Sequence, residues 1–190
     1  MPFLDVGRLE NVGFKKVGRE VKISDRCSIY NPQNISLGDF TRIDDYCVLS
    51  AGKDGIDIGS YVHIACYCSL QGEGIIVLQD FVNLSSRIAI YSSSDDFSGE
   101  SLTNPTIPDR YRNVISGPVI IERHVIIGAG SVVLPGVRIG TGAAIGAMSF
   151  VKTGCDPFGM YAGIPARKVK DRSRRLLELE KALREETVDE

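Results

Sequence analysis

The chain has 190 residues, 22 Lys and Arg against 24 Asp and Glu, and a net charge of -2, the size of one domain with small additions. The charge balance excludes a surface built mainly to grip nucleic acid, and a hydrophobic content of 43% excludes wholesale disorder. No apolar run approaches the ~18 residues of a membrane span. The opening Met1-Pro2-Phe3-Leu4-Asp5 lacks the basic-then-apolar order of a secretory signal, so the sequence reads as cytoplasmic.

In chain order, residues 1–16 carry Leu4, Val6, Leu9 and Val12 and predict a short helix or cap. From Val17 an aliphatic residue recurs every six positions: Val17, Ile23, Ile29, then Leu37, Ile43, Leu49, then Ile58, Ile64, Leu70, then Leu78, Leu84, Ile90. The count resumes at Ile121, Ile127, Val133, Ile139, Ile145 and Val151. A helix of 3.6 residues per turn cannot hold that period on one face, whereas short strands separated by sharp bends can. Three hexads make one triangular coil. The series therefore predicts about six coils over residues 17–170, stacked at ~4.8 Å into a prism about 29 Å long. Cys27, Cys47 and Cys68 fall at the fifth position of a hexad, where a small inward side chain packs. No CxxC pair occurs and no metal centre is expected. Residues 91–119 interrupt the repeat with a polar, proline-bearing loop longer than most connections, a length that often marks function. Residues 171–190 place Leu176, Leu177, Leu179 and Leu183 among Arg, Lys and Glu and predict a surface helix with one apolar side. Its expected role is packing against the coils or a neighbouring subunit.

The hexads, most plainly Ile127-Gly128-Ala129-Gly130-Ser131-Val132 and Ile139-Gly140-Thr141-Gly142-Ala143-Ala144, resemble the hexapeptide-repeat acyltransferases. The long loop together with a closing Tyr161-Ala162-Gly163-Ile164-Pro165-Ala166-Arg167-Lys168-Val169 narrows the likeness to the branch that acetylates sugars and xenobiotics. The resemblance implies an all-β, left-handed parallel β-helix with a mid-helix loop and a C-terminal helix. It also implies a homotrimer with active sites in the clefts between subunits, and acetyl-CoA as donor to a saccharide or nucleotide-linked sugar in surface-polysaccharide biosynthesis. Coenzyme A would lie beside the C-terminal coils, where Gly128, Ala129, Gly146 and Ala147 permit close approach and Arg167 and Lys168 meet its phosphates.

Transfer to a hydroxyl needs a base, and the chain has two histidines, His63 and His124. Family members resembling the galactoside acetyltransferases carry a base histidine where the loop departs; here that point reads Ser94-Asp95-Asp96. Two readings stay open. Either His63, with Asn83 stacked on it one coil later, supplies the base with Asp95 or Asp96 assisting, or an amine acceptor needs no protein base. Tyr91, Asp96, Arg110 and Arg112 are the candidates for holding a sugar or its nucleotide diphosphate. A non-catalytic scaffold and a zinc hydrase of the same fold are the alternatives, the second disfavoured because it needs three histidines.

Overall fold

The computed structural model describes residues 2–186; Met1 and the tail 187–190, the ends of the predicted cap and C-terminal segment, lie outside the described residues. Three parallel sheets form the faces of a left-handed β-helix with six complete coils and part of a seventh. Sheet 1 stacks Lys16–Val17, Ile35–Leu37, Ile56–Ile58, Ile76–Leu78, Val119–Ile121 and Arg138–Ile139. Sheet 2 stacks Lys22–Ile23, Arg42–Ile43, His63–Ile64, Asn83–Leu84, Ile126–Ile127 and Ala144–Ile145, then Gly159–Ala162 with Arg167–Asp171 folded back antiparallel upon it. Sheet 3 stacks Ser28–Tyr30, Val48–Ala51, Ser69–Gly72, Ala89–Tyr91, Val132–Val133 and Phe150–Val151.

The hexad residues build the core. Sixteen of the eighteen are buried; Val17 (37% exposed) and the half-buried Ile29 belong to the first coil, which has only the N-terminal cap beneath it. That cap is helix α1 (Val6–Asn11), whose first turn is held by Asp5 accepting from the Arg8 amide at 2.8 Å. The cysteine column is interior as the spacing implies. Cys47 and Cys68 are buried, Cys27 is half-buried, and each thiol donates to a backbone oxygen of the next coil at 3.1–3.2 Å. Burial pushes the fifth cysteine, Cys155, up to about 11, well away from a reactive thiol.

The corners carry information that periodicity does not reveal. Phe40, Tyr61, Phe81 and His124 occupy one corner with φ of 57–62°, a left-handed conformation that costs an L-residue about 1–2 kcal/mol. Stacking offsets that cost: successive ring centroids lie 4.9 Å apart along the whole ladder. Helix α2 (Leu176–Glu186) leans on this corner, held in a way the leucines did not foretell. Its most covered acid, Glu180, bonds His124 Nε2 at 2.6 Å, Arg184 Nε at 2.8 Å and Arg123, whereas Leu177, Leu179 and Leu183 stay exposed. Among the described residues no helix is long and apolar enough to cross a membrane.

Candidate active site

Rung register places Arg42, His63 and Asn83 side by side on the outer face of sheet 2. His63 Nε2 lies 2.9 Å from Asp44 Oδ2, and Nδ1 lies 3.2 Å from the Asn83 side-chain amide. Arg42 Nε bonds the other Asp44 oxygen at 2.7 Å. Burial alone would raise the Asp44 carboxyl, but the hydrogen bonds from His63 and Arg42 outweigh it and hold it below the usual carboxylate range. Asp44 is a residue the hexad reading passed over. The signal was available, because it is the one acid in a column otherwise made of Ser24, Ala65, Ser85, Gly128 and Gly146, the residues that follow each buried aliphatic on this sheet.

The predicted loop residues assemble elsewhere. Ser93–Ser94 pairs antiparallel with Ile115–Ser116, so the excursion leaves sheet 3 through a short two-stranded neck. At its root opens a cavity of about 720 Å³ whose lining includes Tyr91, Ser93, Ser94, Asp95 and Arg112 together with the apolar Val114, Leu134 and Phe150. The neighbouring aspartates behave oppositely. Asp96 is buried, accepts from the Ser98 amide at 2.8 Å and from Ser101 Oγ at 2.6 Å, and is held below its ordinary value chiefly by those bonds. Asp95 lines the cavity, and among the described residues no hydrogen bond or ion pair engages its carboxylate. Arg112 sits between this cavity and a second one of about 550 Å³ that also touches Asp96, Arg110 and Tyr111. Its Nη2 pairs with Asp109, and its buried Nε has no partner. Arg110 stays exposed with its guanidinium 4.7 Å from the Tyr111 ring.

Thus the structure joins His63 to Asn83, and Tyr91 to Asp95 and Arg112, but the two groups sit on different faces of one prism. The coenzyme candidates occupy a third place. Gly128, Ala129, Gly146 and Ala147 form the corner between sheets 2 and 3 on the fifth and sixth coils, with both alanines exposed. Gly128 is also demanded by the stack itself, since a Cβ there would press on the backbone nitrogen of Ala147. Arg167 and Lys168 lie exposed on the returning strand, Lys168 paired with Asp171 at 2.7 Å. Among the described residues no group of three or more His, Cys, Asp or Glu could hold a metal ion.

The pattern described as bacterial transferase hexapeptide (six repeats) matches residues 113–153. Over 188 residues, 99% of this chain and 98% of the other, the sequence is 50% identical to a dTDP-4-amino-4,6-dideoxy-D-glucose acyltransferase of Escherichia coli. AntD, an N-acyltransferase from Bacillus cereus solved in complex with dTDP and 3-hydroxybutyryl-CoA, superimposes with a TM-score of 0.94 at 48% identity, covering 97% of each chain. An AntD variant solved with dTDP-4-amino-4,6-dideoxyglucose and coenzyme A gives 0.93 at 48% identity over the same shares. With its coils, its loop and its full-length likeness in agreement, the chain belongs to the hexapeptide-repeat, left-handed β-helix acyltransferases.

Proposed function

We propose that the protein transfers an acyl group from acyl-CoA to the 4-amino group of a dTDP-linked 4-amino-4,6-dideoxy sugar, a step suited to surface-polysaccharide biosynthesis. The observation that carries this reading is Asp95, an unbonded carboxylate in the loop cavity of a chain half identical to an acyltransferase of that sugar. A carboxylate placed there attracts the acceptor as its ammonium form and orients it. Solved AntD structures include variants at one serine and at one aspartate ten positions later. The same separation joins Ser85 to Asp95 and Ser86 to Asp96 here, and of the two aspartates it is Asp95 that lines the cavity. Arg112, with Nε unpaired, suits the nucleotide diphosphate; Tyr91 offers a ring face to the sugar, and Arg110 a second cation at the rim.

In this reading the bound ammonium first releases one proton to solvent, and the neutral amine then attacks the thioester carbonyl directly, without an acyl-enzyme. The C–N bond forms, His63 accepts the proton the nitrogen loses, and the C–S bond breaks as that proton passes to the departing thiolate. Asn83 steadies the imidazole. The coenzyme follows the corner of Gly128, Ala129, Gly146 and Ala147 toward Arg167 and Lys168. Leu134, Phe150 and Val114 line the cavity with enough apolar surface for acyl groups from acetyl up to a hydroxylated four-carbon chain. Because His63 and Asp95 lie on different faces, one site takes His63 from one subunit and Asp95 from the next, which a homotrimer with a shared cleft provides.

The test is thiol release from acetyl-, butyryl- and 3-hydroxybutyryl-CoA with dTDP-4-amino-4,6-dideoxyglucose and with a neutral oligosaccharide. Turnover confined to the amino sugar supports the proposal; turnover on hydroxyls alone, or none at all, overturns it. Trimers mixed from His63→Ala and Asp95→Asn chains should regain about a quarter of the sites, as random pairing of complementary neighbours requires. No recovery would sink the shared site.

A further inference from the structure

The contacts around His63 fix more than the position of a ring. A carboxylate only accepts hydrogen bonds, so the 2.9 Å contact of Asp44 Oδ2 with His63 Nε2 puts the proton on Nε2. In the neutral imidazole the lone pair is then on Nδ1. Nδ1 lies 3.2 Å from Asn83 Oδ1, an acceptor placed to take the hydrogen bond once Nδ1 is protonated, and a half-turn of that amide offers the neutral ring an N–H donor instead. Asp44 is itself fixed, because Arg42 holds its second oxygen at 2.7 Å and the residue is only 7% exposed. An anchored, poorly hydrated carboxylate orients a ring better than a mobile one. Asn83 stands on the fourth coil, the coil from which the loop departs, so Nδ1 is turned toward the level where the acceptor would arrive.

We propose that Asp44 is a positioning residue that holds His63 as the Nε2–H tautomer and presents Nδ1 as the proton acceptor. This rests on the reading of His63 as the group that takes the amine's proton. As the C–N bond forms, that proton moves to Nδ1, the resulting imidazolium keeps its Nε2–H on the Asp44 carboxylate, and the negative charge stabilises the cation. Delivery of the proton from Nδ1 to the coenzyme A thiolate restores the neutral ring.

Nitrogen-15 NMR of the His63 ring tests this in the unaltered protein. The neutral ring should show a protonated Nε2 and a bare Nδ1; a neutral ring protonated at Nδ1 overturns the proposal. In Asp44→Asn the amide can donate as well as accept, so the tautomers should mix and kcat should fall about 10–100-fold. KM for either substrate should move less than about threefold, since binding groups are untouched. Asp44→Glu should recover part of the rate. In a His63→Ala background Asp44→Asn should add no further loss, and an undiminished second loss overturns the proposal. Full activity in His63→Ala itself would overturn the proton-acceptor reading, and with it any catalytic role for Asp44, while leaving the NMR result on the tautomer untouched. The two failures are therefore distinguishable.

Discussion

The outer face of sheet 2 and the cavity at the loop root carry the same kinds of side chain and treat them in opposite ways. On the sheet, Arg42, Asp44, His63 and Asn83 bond one another from rung to rung. In the cavity, the Asp95 carboxylate has no bonded partner among the described residues, and Arg112 keeps a buried Nε unpaired. The difference follows from geometry. Parallel strands stack side chains about one hydrogen-bonding reach apart, so polar neighbours on successive rungs find each other. A loop outside the stack has no such register. Its polar groups are satisfied locally, as Asp96 is by Ser98 and Ser101, or stay unpaired, as the Asp95 carboxylate does. Buried polar atoms without partners are rare enough in proteins to be informative.

The sharpest way to break this contrast is to exchange the roles of the two aspartates. Asp95→Asn should cut the rate on the amino sugar about 10²-fold with no change in thermal stability, the loss expected when a group that orients the reacting nitrogen is removed. A rate within a few-fold of wild type would remove Asp95 from the chemistry. Gly38→Val, on the stacked side and away from every proposed site, should do the reverse. Forcing a branched side chain against the Gly59–Ser60 backbone should destabilise the prism by about 1–3 kcal/mol, read as a lowered melting temperature, before any effect on the chemical step. Asp96→Ala lies between them. Losing its two bonds should cost the loop about 1–2 kcal/mol, seen as faster amide exchange at Ser98 and its neighbours and a higher KM for the acceptor. An unchanged exchange rate there would show that other contacts brace the loop.

The prism was legible because its inward positions obey one rule. Sixteen of eighteen hexad residues are buried, and the cysteine column and the interruption for the loop fall where spacing puts them. The pairing of His63 with Asn83 was legible for the same reason, since a fixed coil length converts sequence separation into adjacency. Asp44 was missed because it sits off the hexad pattern, although an acid in a column of small residues marks it. The split between Asp95 and Asp96 was not legible at all. Two adjacent carboxylates in an irregular loop differ only through Ser98 and Ser101, and no period predicts where an irregular backbone turns. The aromatic corner was equally hidden, because its residues are chosen for stacking at positive φ rather than for burial.

Helix α2 extends the lesson, because within one chain Glu180 ties it to the prism while Leu177, Leu179 and Leu183 stay exposed. Burial would raise the Glu180 carboxyl, yet the bonds from Arg184 and His124 prevail and keep it below the ordinary glutamate value of 4.5. A folded-state value below the unfolded one gives stability that is fully present above the unfolded value and disappears as pH falls through the folded one. Acid should therefore loosen α2 while the prism, whose buried core is apolar, keeps its strands. Amide exchange across residues 176–186 should accelerate below about pH 4 at unchanged exchange in the coils. Glu180→Gln should reproduce the loosening at neutral pH, lower the melting temperature by no more than about 2–4 °C, and abolish the further response to acid. If the variant still releases the helix over the same acid range, the anchor is another group and the leucines regain their claim. Added salt separates the two causes again: it should weaken a helix held by charge and leave one held by apolar contact as firm or firmer.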